Sequence, residues 1–264
     1  MTEPTSTRSQ AGDDRRARIM ERLSVHGFQQ VSDLVDVLGV SDMTVRRDLR
    51  KLAAAGELRV VHGGASLLHA TLRTPDFTSR GAHRREAKQQ MAQVALDLIK
   101  PGATVAFDAG TTAFELAAAL PPTFSGCVIS HSVPVLQHML NFPDLRVIGL
   151  GGELLSDSQA FVGGQTVEAL SSLHADVLFL GVAALRRTGL YVATDQERPT
   201  KQALIQAASR VVLLADRSKF DAAAPVRLGE LSQVDVLVTD QPLDPEMAEV
   251  FEASDVEVLT SESR

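Results

Sequence analysis

Small polar residues follow a short apolar segment in the middle of the chain, where they could bind an anion. The segment over residues 103–108 ends in Asp108, and Gly110, Thr111 and Thr112 come next, directly ahead of a predicted helix. Glycine lets a backbone approach a ligand closely, and the N–H groups of a helix N-terminus point toward it. The turn is typical of a phosphate site, although a plain strand-to-helix turn has the same composition. It lacks the lysine of a Walker loop.

Comparable polar groups follow other apolar segments further along the chain. They are Ser130, His131 and Ser132, then Gly151 and Gly152, then Asp195, Glu197 and Lys201, and finally Asp216, Ser218 and Lys219. Ligands of parallel α/β sheets bind at the loops that follow the carboxyl ends of the strands, so we expect these groups to share one rim. Carboxylates would bind hydroxyl groups, and a phosphate would bind the threonine turn and a lysine. The set favours a small phosphorylated polyol.

The elements that must position these residues alternate between strand and helix. We predict strands over 103–108, 126–130, 145–151, 176–182, 190–193, 211–216 and 235–240, helices over 84–100, 112–120, 133–140, 165–173 and 198–208, and a terminal helix and strand. Continuous apolar strands that alternate with amphipathic helices indicate a mostly parallel sheet covered on both faces. The predicted fold class of this part of the chain is therefore α/β.

A second group of candidate residues lies on a predicted helix over residues 41–56, SDMTVRRDLRKLAAAG. Ser41 is a predicted N-terminal cap, and Gly56 is a predicted stop because glycine enters the left-handed conformation without steric cost. Val45, Leu49 and Leu52 recur at helical spacing and predict a buried face. The opposite face and its flanks carry Met43, Thr44, Arg46, Arg47, Arg50 and Lys51. Such a cationic face suits an anionic partner, although an ordinary solvated helix looks similar.

The surroundings of this helix favour nucleic acid as the partner. The preceding run, VSDLVDVLGV, predicts a helix that Ser32 caps and Gly39 ends, and residues 14–26 predict another helix. Residues 58–61 and 65–68 flank His62 in HGG and predict a two-stranded wing. Two short helices joined by a tight turn form a helix-turn-helix, whose second helix enters the DNA major groove. The first part of the chain is thus a predicted winged helix-turn-helix.

The run VSDMTVRRDLRKL, followed by GELRVVHGGA, closely resembles the DNA-binding domain of the DeoR family of bacterial transcriptional regulators. Val60 stands where members usually carry arginine. The resemblance implies that the DNA-contacting residues are Ser41, Met43, Thr44, Arg46, Arg47, Arg50, Lys51 and His62. The expected partner is a double-stranded DNA operator.

The pieces FDAGTT, GG, TDxE…K, ADRSKF and VTD likewise resemble the sensor domain of that family, which is similar to sugar-phosphate isomerases of the ribose-5-phosphate isomerase type. The resemblance covers nearly all of residues 14–240. It implies an effector pocket, to which we add Ser130, lined by Asp108, Gly110, Thr111, Thr112, Gly151, Gly152, Asp195, Glu197 and Lys219. His131 stands where the family commonly has asparagine.

Composition limits the other possibilities. Residues 1–69 carry ten Lys or Arg and nine Asp or Glu, whereas the rest carries sixteen and twenty-four, so cationic charge is local. An acidic remainder limits non-specific adhesion to DNA, which favours binding by geometry and by an oligomer. The single cysteine, Cys127, excludes an internal disulfide, and the seven scattered histidines show no metal pattern. No apolar run is long enough for a membrane helix, and we expect a cytoplasmic protein without cofactor.

These observations predict a tail over 1–13, a winged helix-turn-helix over 14–69, a linker over 70–83 and an α/β sensor domain over 84–264. We expect a transcriptional regulator, a repressor of a sugar catabolism operon that a phosphorylated sugar releases from its operator, acting as a dimer or tetramer. The alternative is a sugar-phosphate isomerase with an accessory DNA-binding domain, in which Asp195 and Glu197 would act as acid and base. A third hypothesis is a ligand-gated protein-interaction module.

Overall fold

The computed structural model of the protein describes residues 12, 15–23, 28–61, 63–67 and 76–261. Internal contacts divide the chain into two compact units, Met1–Ser79 and Arg80–Arg264. The first unit contains helix α1 over residues 15–23, β1 (Phe28–Gln30), α2 (Val31–Leu38), α3 (Asp42–Ala54), β2 (Leu58–Val61) and β3 (Gly64–Leu67). Its strands form an antiparallel sheet in the order β1-β3-β2, in which β2 and β3 are the predicted wing.

The apolar faces of the three helices pack together in the first unit. Val45, Leu49 and Leu52 of α3 are buried against a core that includes Ile19 and Leu34, as their spacing predicts. Ser41 occupies the predicted N-cap position of α3, but its hydroxyl contacts the Thr44 hydroxyl at 2.9 Å and not a backbone N–H group. The predicted Ser32 cap is wrong, because α2 begins one residue before Ser32. The apolar residue Val31 starts that helix because it is buried in the same core.

The end of α3 follows its prediction closely. Gly56 has φ +74°, its N–H donates to the Ala53 carbonyl, and the Glu57 N–H donates to the Leu52 carbonyl. These two bonds form a Schellman motif, which satisfies carbonyls that the helix leaves free.

We therefore expect Gly56→Ala to destabilise the first unit by roughly 1 kcal/mol, because a Cβ atom is unfavourable in the left-handed region. Gly56→Asn should cost less, since asparagine tolerates that region. Hydrogen exchange of the amides of residues 42–54 in the full chain measures both changes. Equal exchange in the alanine variant and the wild type would contradict the assignment.

Part of the predicted linker over 70–83 is helical. Residues Phe77–Ala82 form helix α4, which spans the division between the units, and residues 70–75 lie outside the described residues. The Asp76 carboxylate accepts from the Ser79 N–H at 2.8 Å and so caps the helix. The sequence of this stretch has mixed composition and no apolar periodicity, so it gives no sign of a helix that depends on one local hydrogen bond.

The second unit is an α/β domain. Its elements are α5 (Arg85–Leu96), β4 (Thr104–Phe107), α6 (Thr111–Ala118), β5 (Cys127–Ser130), α7 (Val133–Met139), β6 (Arg146–Gly149), β7 (Glu153–Leu155), β8 (Ala160–Val162), α8 (Gly164–Leu170), β9 (Val177–Gly181), β10 (Ala184–Arg186), β11 (Gly189–Val192), α9 (Glu197–Gln206), β12 (Val211–Leu214), α10 (Ser218–Asp221), β13 (Val226–Gly229), a 3-10 helix (Leu231–Gln233), β14 (Val236–Thr239), α11 (Pro245–Ala253) and β15 (Glu257–Thr260).

Seven of these strands form one sheet in the order β15-β14-β12-β9-β4-β5-β6, and every pairing in it is parallel. The predicted parallel sheet is confirmed. Alternate residues face two cores: Phe107 and Phe179 pack with α5, α6 and α7, while Ala106 and Leu180 pack with α8, α9 and α11. The order of strands reverses between β4 and β9, which is where ligands of open α/β sheets bind.

Two smaller sheets were not predicted. Strands β7 and β8 form a hairpin, and β10, β11 and β13 form an antiparallel sheet. The predicted strand over 190–193 belongs to this second sheet and not to the main one. Such short strands carry too few residues for a period to be read.

Candidate functional sites

Helix α3 presents a charged face to solvent. Its exposed residues include Arg47, Arg50, Lys51 and Met43, and the Met43 residue is 74% exposed. Arg46 is exposed as well and pairs with the Asp42 carboxylate at 2.5 Å, while Ser41 is exposed and Thr44 is half-buried. An exposed thioether beside guanidinium groups suits the methyl-bearing base edges and phosphates of a major groove.

The residues around α3 fix its position. Asp48 is buried on α3, and Arg15 and Arg16 of α1 reach its carboxylate at 2.5 Å and 3.5 Å. These two arginines therefore hold the two helices together. On the wing, Val60 is 50% exposed at the position where the family usually has arginine, and His62 lies outside the described residues.

In the second unit, a buried charge lies at the carboxyl ends of β4 and β9, where the order of strands reverses. Asp108 follows β4 and is 0% exposed. Its carboxylate accepts from the Gly181 N–H at 2.8 Å and binds the Lys201 ammonium, which also donates to the Gly181 carbonyl at 2.9 Å. Burial alone raises the pKa of Asp108, but the Lys201 ammonium and His131 more than offset this, so the pKa lies well below its usual range. Asp108 thus remains ionised and joins β4, β9 and α9.

His131 extends this cluster toward the hairpin. Its Nδ1 lies 2.8 Å from the Phe161 carbonyl, and because a carbonyl only accepts, Nδ1 carries the proton. Its Nε2 lies 3.1 Å from Asp108 Oδ1 and 3.2 Å from the Ala109 nitrogen. The neutral ring therefore accepts from the Ala109 N–H, whereas a protonated ring donates to Asp108. The imidazole fixes the hairpin against the end of β4.

A second cluster of charges lies at the ends of β12 and β14. Asp216 accepts from the backbone N–H and the hydroxyl of Ser218, at 2.9 Å and 2.5 Å, and its backbone carbonyl accepts from the Lys219 N–H. The Arg84 guanidinium binds the Asp240 carboxylate and lies 3.9 Å from Asp216. Burial lowers the pKa of Lys219, and the neighbouring Asp216 partly opposes that shift.

Lys88 of α5 belongs to the same cluster. It is 3% exposed, and its ammonium donates to the Arg80 carbonyl and, at 2.6 Å, to the His83 carbonyl. The pKa of Lys88 is lowered to about 8, mainly by burial; Asp216 and Glu115 oppose the shift, and the Lys219 and Arg80 cations contribute to it. The end of β12 therefore gathers several cations around few carboxylates.

The predicted anion turn lies beside this cluster. Gly110 precedes α6, and Thr111 and Thr112 form its buried first turn. A Cβ atom added at Gly81 would lie 3.9 Å from Thr111 Cγ2, so residue 81 lies near the start of α6. The same stretch of chain binds the Lys88 ammonium and, through Arg84, the Asp240 carboxylate.

The remaining predicted effector residues are placed differently from one another. The Ser130 hydroxyl donates to the Phe107 carbonyl at 2.8 Å, and Thr166 donates to the Gly151 carbonyl at 2.7 Å. Gly152 has no room for a side chain, because a Cβ atom there would lie 2.3 Å from Thr166 Oγ1. Through these contacts, Ser130, Gly151 and Gly152 fix the backbone at and after the ends of β5 and β6.

Asp195 and Glu197 lie at the start of α9. Asp195 is exposed in a turn, and Glu197 is the half-buried first residue of the helix. Glu197 and Lys201 are four residues apart and share one helix face, which places Glu197 one turn from the Asp108 cluster. Both carboxylates are accessible to a ligand, in contrast to Asp108.

Lys88 was missed by the sequence reasoning, and Lys201 was noted without being assigned to the pocket. Each has a signal that the sequence contains. Lys88, Met91, Ala92 and Ala95 follow the spacing of a helix face, so a lysine stands in a row of core residues. Lys201 is adjacent to the fully buried Thr200. A charged residue at a core position indicates a buried partner.

Two further groups carry no site. Cys127 lies half-buried on β5, and burial raises the pKa of its thiol, which disfavours the nucleophilic thiolate. In the described part of the chain, His, Cys, Asp and Glu side chains nowhere form a group of three that could hold a metal ion. None of the helices among the described residues has the length and apolar character needed to span a bilayer.

The chain is similar to known proteins over both units. The family model described as the DeoR C terminal sensor domain matches residues 83–241, and the DeoR-like helix-turn-helix domain matches residues 15–71. The HTH-type transcriptional regulator GlpR of Haloferax volcanii is 33% identical, over 95% of this chain and 98% of that protein. The glycerol-3-phosphate regulon repressor of Escherichia coli is 32% identical, over 85% of this chain and 89% of that protein.

Solved structures resemble part of the chain more distantly. Ribose 5-phosphate isomerase A of Methanocaldococcus jannaschii matches with a TM-score of 0.38 and 17% identity, over 52% of this chain and 54% of that one. A probable sor operon regulator of Shigella flexneri matches with a TM-score of 0.36 and 14% identity, over 52% and 77%.

A helix-turn-helix joined to an α/β sensor domain defines a ligand-responsive transcriptional regulator. The chain belongs to the DeoR family of transcriptional regulators. It is a DNA-binding protein and not an enzyme, since its full-length relatives are named as regulators and repressors, and the isomerase hypothesis is not favoured.

Proposed function

We propose that this protein represses a sugar catabolism operon in the cytoplasm and leaves its operator when a phosphorylated sugar binds the second unit. Repression is named for two relatives, the Escherichia coli glycerol-3-phosphate regulon repressor and the putative aga operon repressor of strain O157:H7. The observation that carries the proposal is the presence in one chain of an exposed cationic helix, α3, and a parallel sheet whose strands end in polar and cationic groups.

The proposed effector site combines groups of two kinds. The phosphate binds the N-terminus of α6 at Gly110, Thr111 and Thr112 together with the half-buried Lys219 ammonium, because amide dipoles and a cation both favour an anion. Asp195 and Glu197 accept from the sugar hydroxyls. Asp108 does not contact the sugar and instead positions Lys201 and His131 beneath it, while Ser130, Gly151 and Gly152 shape the rim.

On the DNA side, α3 enters the major groove. Arg47, Arg50 and Met43 meet base edges, while the proposed contacts to the DNA backbone come from Ser41, Thr44, Arg46, Lys51 and His62. One winged helix contacts too little DNA for high specificity, so we propose that two or four copies bind repeated half-sites. The effector shifts the equilibrium between DNA-competent and incompetent arrangements only by its difference in affinity for the two.

Thermal-shift measurements on the full chain with a panel of pentose, hexose, hexosamine and glycerol phosphates test the effector proposal. A ligand that binds the folded protein raises its melting temperature by mass action. We expect one phosphorylated compound to stabilise the protein and its unphosphorylated parent to have no effect. Enzyme-like turnover of a sugar phosphate by the same preparation would contradict the assignment as a regulator.

We also expect Lys219→Ala to leave operator affinity unchanged and to weaken effector binding about tenfold, because a charge-assisted bond to the phosphate is lost. Titration of the effector against the protein–operator complex, followed by fluorescence anisotropy, measures both quantities. Lys100→Ala, at an exposed lysine outside the proposed effector site, is the matched control. Its response to the effector should equal that of the wild type. Loss of DNA binding in Lys219→Ala would show instead that this lysine supports the fold.

A further inference from the structure

Residues 80–84, the last turn of α4 and the two residues that join it to α5, are held in place from two directions. We call this stretch the connector, since it opens the second unit immediately after the helix-turn-helix unit ends. The Lys88 ammonium binds two of its carbonyls, those of Arg80 and His83. A buried ammonium without acceptors is costly, so these two bonds strongly favour one path of the connector.

The second tether is the Arg84 side chain. Arg84 has φ +51°, a left-handed conformation that non-glycine residues adopt at a cost. The guanidinium stabilises it by binding the Asp240 carboxylate and approaching Asp216, which also holds Ser218. Asp216 therefore faces the connector on one side and the start of α10, with Lys219, on the other.

The connector also lies near the proposed phosphate site. A Cβ atom added at Gly81 would lie 3.9 Å from Thr111 Cγ2 at the N-terminus of α6. The charges around Lys88 and Lys219 are mixed, because Asp216 attracts both ammonium groups more strongly than Arg80 repels them. A doubly charged anion at Thr111 and Lys219 would add a second attraction for the Lys88 ammonium and stabilise the path of the connector that Lys88 holds.

We propose that Lys88 is a positioning residue that transmits occupancy of the phosphate site to the connector, and through the connector to the adjoining helix-turn-helix unit. This inference rests on the proposed function, because it requires an anion at the turn that begins α6. When an anion occupies the phosphate site, the connector becomes less mobile. This response depends on the Lys88 and Arg84 side chains.

Hydrogen exchange of connector amides in the full chain, with and without inorganic sulfate, tests the inference. Sulfate is a tetrahedral dianion whose charge is constant between pH 6 and about pH 9. In the wild type we expect sulfate to slow exchange at residues 80–84 on the order of threefold. In Lys88→Met the response should disappear, while Lys100→Met, the same substitution at an exposed lysine, should retain it. Arg84→Gln should also lose the response, which provides a second test if Lys88→Met does not fold.

A pH series separates coupling from simple structural support. The groups that face Lys88 are Asp216, Lys219, Arg80 and Glu115, and its pKa is about 8. Above that pH the amine is neutral, so the attraction between the Lys88 ammonium and sulfate is lost. The connector response of the wild type should therefore decline as the pH rises through about 8, and Lys88→Met should show no such decline.

Thermal shifts recorded with the same samples distinguish this inference from the proposed function. Sulfate that stabilises the wild type but not Lys219→Ala, without changing connector exchange, would overturn the role of Lys88 and leave the phosphate site intact. An equal connector response in Lys88→Met and the wild type would overturn it as well. A wild type that sulfate does not stabilise at all would contradict both the phosphate site and the coupling.

Discussion

Replacing Lys201 with methionine should lower the free energy of unfolding of the second unit by about 3–5 kcal/mol. The substitution keeps the length and most of the apolar stem of the side chain but removes the cation that binds Asp108. Because the Asp108 carboxylate is 0% exposed, water cannot replace the ammonium, and an uncompensated charge remains in the interior. Urea unfolding of the full chain, followed by circular dichroism, measures the loss.

A double-substitution cycle isolates the ion pair from other effects of the substitution. Asp108→Asn combined with Lys201→Met removes both charges of the pair, so the loss should be smaller than the sum of the two single losses by about 2 kcal/mol or more. Lys100→Met is the exposed control and should change stability by less than about 0.5 kcal/mol. A loss of less than about 1 kcal/mol in the free energy of unfolding of Lys201→Met would contradict the conclusion that the Asp108–Lys201 pair joins β4, β9 and α9.

Arg47→Ala should weaken operator binding by about 1–3 kcal/mol, which corresponds to a loss of roughly 5- to 150-fold. Arg47 lies in the centre of the exposed face of α3, and an arginine at such a position binds the O6 and N7 atoms of guanine with two hydrogen bonds. The operator can be selected from random duplex DNA with the wild-type protein, and fluorescence anisotropy then gives the affinities of the variants.

Two further substitutions make this prediction specific. Arg47→Lys keeps the charge but loses the planar donor pair, so it should retain non-specific DNA affinity and lose discrimination at one base pair. Arg198→Ala removes an exposed arginine of the second unit and should leave DNA binding unchanged. An unchanged operator affinity in Arg47→Ala would show that α3 does not lie in the groove as proposed.

The elements that sequence patterns predict well are those whose burial repeats regularly. The apolar spacing of Val45, Leu49 and Leu52 predicts the buried face of α3, and Gly56 predicts its end. Likewise, continuous apolar segments predict the parallel strands, because a strand buried on both faces has no polar positions. In both cases the pattern and the burial have the same physical origin.

The parts that sequence patterns do not predict depend on contacts between distant residues. Lys201 and Asp108 are 93 positions apart, and Arg84 and Asp240 are 156 positions apart, so no local spacing reveals either pair. The carboxylate predicted to face the ligand, Asp108, is instead enclosed by protein groups. Helix α4 depends on one cap from Asp76, which a search for apolar periods does not detect.

The central claim is that a phosphorylated sugar controls binding to DNA. Titration of phosphorylated sugars into the complex of the full chain with its selected operator, followed by fluorescence anisotropy, tests it most directly. We expect that one phosphorylated compound releases the DNA and that its unphosphorylated parent does not. Lys219→Ala should require about tenfold more of the phosphorylated compound. The proposed function would be contradicted if no phosphorylated sugar changed operator affinity, or if the unphosphorylated parent changed it equally.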